Sequence, residues 1–282
     1  MSRKILNTLV LLAFVCIPAA LAGQAEQGEA PETQGGAAGD ISADEIMKQA
    51  HLGLYYAGND GRALVTMELT DKRGKTRTRT FTMLRLDMED GGPQKYYTFF
   101  TEPSDVRRTC FMVWKHPNKD DARWIYIPAP DLVKRISAND KASSFVGSDF
   151  SYEDVSGRHW TDDNHKLLRR EEKDGMEFYV IESVPKNDKA FAKKITWVSV
   201  DRMLPEREEY YDKKDKLTRV FEAEEIQEIG GFQTVTIRRM TNIKKNHNTL
   251  VTFSNVEYNI GIEEDLFTER YLKAPPKKYI EF

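Results

Sequence analysis

Histidine and cysteine are the side chains in this 282-residue sequence best suited to metal binding or nucleophilic chemistry. None of the five histidines lies near a cysteine or carboxylate at a recognised metal-ligand spacing. His159 and His165 flank a turn-like stretch, and we interpret them as a surface pair rather than as half of a zinc site. The sequence therefore predicts no metal site. The other histidines are His51, His116 and His247.

Motifs for other catalytic chemistry are equally scarce. No glycine-rich loop with a lysine is present to hold a phosphate, and Gly147-Ser148-Asp149 lacks the second glycine of a nucleophile elbow. Acidic residues are mostly interleaved with basic ones, as in residues 169–173, which is typical of solvated surfaces. We therefore expect a protein that is not an enzyme, with no catalytic residue and no cofactor.

The two cysteines do not predict a disulfide. Cys16 lies in an apolar N-terminal run, and Cys110 lies inside the apolar sequence Cys-Phe-Met-Val-Trp. We interpret Cys110 as a small buried hydrophobic residue rather than a reactive thiol. If the N-terminal run is removed, Cys110 has no partner in the chain.

That N-terminal run is typical of a cleavable signal peptide. Arg3 and Lys4 precede an apolar stretch over residues 5–22, which ends in Ala-Leu-Ala. A membrane anchor is the alternative, but polar residues and a proline interrupt the run and a polar segment follows it. We therefore predict a signal peptide over residues 1–22, cleavage after Ala22 and a periplasmic location.

Composition limits the partners of the remaining chain. Two of the 42 basic residues lie in the signal peptide, so the remaining chain has 40 basic and 45 acidic residues and a net charge of −5. A negative net charge does not favour nucleic acid as a partner. Residues 23–40 have almost no side chains that can build a core, and they predict a flexible leader. Residues 41–282 are expected to form a single domain.

The spacing of apolar residues changes along the chain, from a helical period to the period of two that is typical of β-strands. Ser42 followed by Glu45 predicts a helix over residues 43–55, with Ile46, Ala50 and Leu54 on one face. From Ala63 onward, short segments alternate between apolar and polar residues and are separated by turn residues. We predict a mainly β fold with a few helices, built on an open antiparallel β-barrel of about eleven strands in meander order and covered by a helical lid.

Two regions depart from simple alternation. Residues 96–100 and 110–114 are apolar on both faces, so both sides of the sheet must be covered there. Residues 140–157 interrupt the strand rhythm, and they predict a covering loop with one or two short helices. The aromatic side chains in these strands fit a filled core and a cavity lining equally well, and composition does not distinguish the two.

A family resemblance favours the cavity. The string Phe145-Val-Gly-Ser-Asp-Phe-Ser-Tyr-Glu-Asp154, together with Arg-Trp-Ile-Tyr-Ile-Pro at residues 123–128 and Asp-Leu-Phe-Thr at residues 265–268, resembles the outer-membrane lipoprotein-sorting family, the LolA-like proteins. The match is to a large uncharacterised branch of that family and covers roughly residues 41–271. The resemblance implies an incomplete barrel closed by helices over an apolar space for acyl chains.

The resemblance also implies a function and a set of binding residues. The expected function is a carrier that moves lipid or lipoprotein acyl chains toward the outer membrane. The partners that the resemblance implies are an inner-membrane exporter of the RND type and an outer-membrane acceptor. The alternative is a non-transporting envelope sensor or exporter-accessory module. In such carriers an arginine on an early strand binds the lid; Arg77, Arg79 and Arg85 are all candidates here, but no motif fixes the register, so the role is assigned to none of them. The predicted cavity or lid residues are Tyr97, Phe99, Met112, Trp114, Trp124, Tyr126, Phe145, Phe150 and Trp197.

Overall fold

The computed structural model describes residues 41–187 and 191–281, which belong to one compact unit. The predicted signal peptide and leader lie outside the described residues. Helix α1 (Ala43–Tyr55) begins where the sequence predicts, because the Ser42 hydroxyl accepts a hydrogen bond from the Glu45 amide at 3.2 Å. Within the described part of the chain, no helix is both long and apolar enough to cross a membrane.

One antiparallel sheet of thirteen strands dominates the fold. Its first six strands are β1 (Asp60–Thr70), β2 (Thr76–Asp87), β3 (Gln94–Glu102), β4 (Cys110–Lys115), β5 (Ala122–Ile127) and β6 (Leu132–Ile136). The other seven are β7 (Asp163–Lys173), β8 (Met176–Pro185), β9 (Lys193–Ser199), β10 (Pro205–Tyr211), β11 (Leu217–Ile229), β12 (Phe232–Asn242) and β13 (His247–Tyr258).

The order of the strands leaves the sheet open. It runs β6-β5-β4-β3-β2-β1-β13-β12-β11-β10-β9-β8-β7, so two meanders meet where β1 pairs with β13. The two edge strands, β6 and β7, follow one another in the chain. Residues 137–162, which we call the lid segment, connect them and contain two short 3₁₀ helices, Ala138–Asp140 and Trp160–Asp162, and helix α2 (Tyr152–Ser156).

The sheet has two covered faces. We call inner the face that packs against α1 and the lid segment, and outer the opposite face. On β1 the inner residues Ala63, Val65, Met67 and Leu69 are buried, and they alternate with more exposed neighbours. Helix α1 places Ile46 and Ala50 against Ile181 of β8 and Val198 of β9. The inner face is therefore covered by elements from two separate parts of the chain.

The outer face is covered only in part, by the C-terminal segment. A 3₁₀ helix (Glu264–Leu266), α3 (Glu269–Lys273) and α4 (Lys277–Ile280) place Phe267, Leu272 and Ile280 against the outer side of β2 to β5. The Tyr97 hydroxyl on β3 donates to the Tyr271 carbonyl at 2.8 Å. This cover explains why β3 and β4 are apolar on both faces.

These elements agree with the predicted fold class, with one difference in strand number. The mainly β, open and helix-covered architecture is confirmed, as are helix α1 and the short helices of the lid segment. The structure has thirteen strands rather than about eleven. Strand β6 escaped prediction because it is five residues long and mostly exposed, so its sequence lacks an apolar face.

Candidate functional site

An apolar cavity lies between the inner face of the sheet and the lid segment. Its volume is about 130 Å³, room for on the order of four water-sized groups. The sheet contributes Val65, Met67, Met83, Val251 and Phe253, and the lid segment contributes Phe145, Phe150 and Val155. A lining of this kind suits the methylene groups of an acyl chain, which have no polar atoms to satisfy.

A second cavity, of about 230 Å³, lies on the inner side of β9 to β12; about half of its lining is polar, and we call it the polar cavity. Its wall includes His51 of α1, His159 and Trp160 of the lid segment, and charged residues of the sheet such as Lys194 and Glu208. Burial, together with the cationic Lys115, lowers the pKa of His159 to about 4. Burial also lowers the pKa of His51 well below its ordinary value. Both imidazoles are therefore neutral at neutral pH.

The two cavities are neighbours that share part of their lining. Leu54 and Tyr55 at the end of α1, Phe150 and Asp154 of the lid segment, and Arg238 of β12 all border both spaces. Tyr55 and Phe150 are large and apolar over most of their surface, whereas Asp154 and Arg238 carry charge. The boundary therefore changes from apolar to polar over the width of a few side chains.

Phe145 holds the first half of the lid segment on the sheet. It is 1% exposed, and its ring lies 5.3 Å from that of Phe111 on β4, 5.9 Å from Phe100 on β3 and 6.2 Å from Phe81 on β2. Aromatic pairs at such distances add to the stabilisation that burial supplies. The lid segment is thus part of the core as well as the roof of the cavity.

Polar contacts help to hold the second half of the lid segment on the sheet. Asp149 accepts hydrogen bonds from the Thr249 hydroxyl at 2.8 Å and lies 2.5 Å from His247 Nδ1, both on β13. Asp154 accepts from Arg219 of β11 at 2.7 Å. In α2, Ser151 and Asp154 form a reciprocal capping box, which explains why this short helix begins at Tyr152.

An arginine on β2 fixes the end of α1. Arg85 donates to the carbonyl of Tyr55 at 2.6 Å and also to the carbonyls of Ala57 and Gly58. These carbonyls are at or just beyond the helix C-terminus, where a cation is favourable. Of the three early-strand arginines considered from sequence, Arg85 is the one that binds a helix; Arg77 is exposed.

The sequence-predicted binding residues divide between the two faces of the sheet. Phe145 and Phe150 line the apolar cavity. The residues Tyr97, Phe99, Met112, Trp114, Trp124 and Tyr126 lie on the outer face of β3 to β5, packed with the C-terminal segment. Trp197 lies on the side of β9 opposite Thr196 and Val198, where its Nε1 donates to Glu171 at 2.7 Å.

The placement of those seven residues in the cavity is therefore corrected. Alternation along β3 and β4 identifies two apolar faces but does not say which one faces the cavity. The surface pair expected at His159 and His165 is also corrected, because His159 is buried against His51 and Trp160. No group of three or more His, Cys, Asp or Glu side chains suited to a metal occurs among residues 41–187 and 191–281.

Sequence reasoning missed Met83 and Arg238 as cavity residues. Arg238 and Arg239 are adjacent in a strand, so one of the two must face inward. The pair of adjacent arginines could be seen in the sequence, but it indicates an inward-facing charge only if β12 is known to have a covered inner face.

Comparisons place the chain among known structures. A family model described as an uncharacterized protein matches residues 92–274. A DUF1329 family protein from Desulfovibrio piger is 30% identical, with a TM-score of 0.74 over 80% of this chain and 97% of that chain. A putative outer membrane lipoprotein-sorting protein domain from Vibrio parahaemolyticus is 28% identical, with a TM-score of 0.76 over 82% of this chain and 98% of that chain.

The fold extends to more distant proteins. A LolA superfamily protein from Nitrosomonas europaea is 19% identical, with a TM-score of 0.65 over 82% of this chain and all of that chain. At this identity the likeness concerns the fold alone. No curated protein matches the chain.

Proposed function

Because this chain belongs to the DUF1329 family and has the fold of LolA-like, lipoprotein-sorting proteins, we propose that it is a periplasmic carrier of lipid or lipoprotein acyl chains. In this proposal the apolar cavity holds the acyl chain and the lid segment covers it. The protein acts by binding and release rather than by catalysis. The signal-peptide pattern of residues 1–22 supports export to the periplasm.

The cavity under Phe145 and Phe150 is the observation that carries this proposal. Each methylene group moved from water into such a space contributes about 0.8 kcal/mol. A space of about 130 Å³ takes roughly four methylene groups, which would contribute on the order of 3 kcal/mol before the entropy cost of ordering the chain. The apolar cavity as it stands therefore holds part of an acyl chain.

Release requires the lid segment to separate from the sheet. Its second half is held by the polar contacts of Asp149 and Asp154 with β11 and β13, and by the packing of Phe150 against the core. The polar contacts can be exchanged for contacts with a partner at modest cost, whereas the aromatic packing of Phe145 resists separation. An inner-membrane exporter that loads cargo and an outer-membrane acceptor that receives it are the partners we propose.

The interior also bears on the alternative of a sensor or accessory module without cargo. That alternative is favoured by an interior filled with side chains. Two adjoining cavities, of about 130 and 230 Å³, instead support a protein with cargo. We therefore favour the carrier.

A pair of adjacent substitutions on β1 tests the proposal. Ala63 lines the apolar cavity, and Leu64 is directed to the outer face. Ala63→Phe should fill the space of two or three methylene groups, and the affinity for a fluorescent acyl probe should fall about 30-fold. Leu64→Phe is the matched control, and it should bind within about twofold of the wild type.

Native mass spectrometry of the purified protein supplies the second readout. We expect co-purified lipid on the wild type and on Leu64→Phe, and less on Ala63→Phe. Equal probe affinity in all three proteins, with no lipid on any of them, would refute the carrier function.

A further inference from the structure

Arg238 occupies the boundary between the two cavities, where no residue that the structure describes pairs with its charge. Its side chain is partly buried and borders both the apolar and the polar space. Its Nε is buried and has no hydrogen-bond partner among the described residues. Among the described residues, no carboxylate forms an ion pair with its guanidinium. An unpaired charge in such a place is costly to the folded protein unless something binds it.

The surroundings of Arg238 are aromatic rather than acidic. Its guanidinium lies 4.3 Å from the centre of the Phe253 ring. The titratable groups that act on its pKa are the phenols of Tyr55, Tyr96 and Tyr258, which are uncharged at neutral pH. Aromatic rings orient a guanidinium by stacking but do not neutralise it.

The carboxylates of the polar cavity do not neutralise it either, because each already has a partner at 2.5 to 2.8 Å. The pairs are Asp149 with His247, Glu153 with Lys141, Asp154 with Arg219, Asp163 with Arg158, and Glu208 with Lys194. No carboxylate of the polar cavity therefore pairs closely with Arg238.

We propose that Arg238 binds the carboxylate or phosphate of an amphiphile whose acyl chain lies in the apolar cavity, an inference that rests on the carrier function proposed above. A planar guanidinium pairs with either anion through two parallel hydrogen bonds, and arginine is well suited to this in an interior site. The cargo is therefore an anionic amphiphile and not a neutral one.

The geometry gives each part of such a ligand a place. Met83, Val251 and Phe253 offer the chain an apolar surface on one side of Arg238. On the other side, the polar cavity gives the head group access to water and to neutral hydrogen-bonding groups such as His51. The ligand would replace the missing counter-charge.

Titration calorimetry with three matched twelve-carbon probes tests this. Dodecanoate carries a carboxylate, dodecyl phosphate carries a phosphate, and dodecanol is neutral. The protein is expressed from the full-length chain and freed of co-purified lipid. We expect both anions, or one of them, to bind at least about 10-fold more tightly than dodecanol, since hydrogen bonds to charged groups are stronger than neutral ones. The stronger of the two anions identifies the head-group class.

Variants at neighbouring positions of β12 separate the head group from the chain. Arg238→Met should reduce anion affinity to that of dodecanol while dodecanol binding changes less than about twofold. Arg239→Met is the control, since Arg239 is on the other face of β12 and bonds Glu224; it should change neither affinity. The melting temperature of ligand-free Arg238→Met should equal or exceed that of the wild type, because an unpaired charge is removed.

The outcomes are distinguishable. Equal affinity for all three probes, unaffected by Arg238→Met, would overturn the role of Arg238 and leave the carrier function standing. A protein that binds none of the probes would overturn both. A large fall in the melting temperature of Arg238→Met would show that Arg238 has a structural partner and would also overturn the proposal.

Discussion

Arg219 of β11 donates a hydrogen bond to Asp154 of the lid segment at 2.7 Å, and this ion pair joins the sheet to the roof of both cavities. The guanidinium also stacks on Tyr210, 4.5 Å from its ring centre, and donates to the Asp149 carbonyl. Arg219 therefore contacts the lid segment at two points. The contact between Arg219 and the lid segment therefore depends in part on the charge of the Asp154 carboxylate.

That dependence predicts a response to acid. Burial alone would raise the pKa of Asp154, but the Arg219 guanidinium and hydrogen bonds from Ser151 hold it below its ordinary value. The ion pair is fully formed above the unfolded-state pKa of about 4. Its contribution to stability is lost as the pH falls through the lower pKa of the folded state.

Asp154→Asn should therefore lower the free energy of unfolding at pH 7 by about 2 to 3 kcal/mol, and the difference from the wild type should shrink below pH 4. Urea denaturation at pH 7 and pH 3 measures both values. Asp131→Asn, which removes an exposed partner of Lys273, is the control and should have no measurable effect. A difference between Asp154→Asn and wild type that grows in acid would contradict this explanation.

Phe145 should contribute strongly to stability. It is almost fully buried among rings from three strands, so Phe145→Ala should cost about 3 to 5 kcal/mol. Phe145→Leu should lose less than half as much stability as Phe145→Ala, because the leucine side chain leaves a smaller cavity. Denaturant unfolding of the three proteins checks this, and a cost below about 1 kcal/mol for alanine would show that the lid segment does not belong to the core.

Tryptophan emission should report the lid segment and not the outer face. Trp160 stacks on His159 at 3.8 Å in the wall of the polar cavity. Trp114 is on the outer face, where its indole donates to the Phe267 carbonyl. An acyl ligand should change the emission of the wild type and of Trp114→Phe but not that of Trp160→Phe. A signal that disappears in Trp114→Phe instead would place the ligand on the outer face.

Cys110 should be unreactive in the folded protein. It is buried under the C-terminal segment, and burial raises the pKa of its thiol to about 12. A Cys16→Ser background leaves Cys110 as the single thiol. A thiol reagent at pH 8 should label it only in denaturant, because thiolate is the reactive form. Rapid labelling of the native protein would indicate that α3 and α4 open readily.

The sequence was informative where a pattern had one structural solution. Ser42 and Glu45 located the start of α1, and the interruption of strand rhythm around Phe145 and Phe150 located the lid segment. Both are local signals, which a reader of the chain can interpret without knowing the fold. Open sheet topology followed from the meander of short strands.

The site was harder to predict because its location depends on long-range packing. Trp114 and Phe111 are three residues apart on β4 and equally apolar, yet one faces the C-terminal segment and the other faces the lid segment. Only the three-dimensional cover decides which of the two faces borders the cavity. Arg238 was missed for the same reason. Its lack of a carboxylate partner can be recognised only when the positions of all the neighbouring strands are known.

Photoaffinity labelling tests the central claim most directly, namely that an acyl chain occupies the cavity between the sheet and the lid segment. A dodecanoate probe with a diazirine near its methyl end is irradiated with the protein, and the adducts are located by peptide mass spectrometry. We predict adducts on inner-face residues such as Met83 and Phe253, which excess dodecanoate suppresses. Adducts confined to outer-face residues such as Trp114 and Trp124, or no adducts that dodecanoate suppresses, would contradict it.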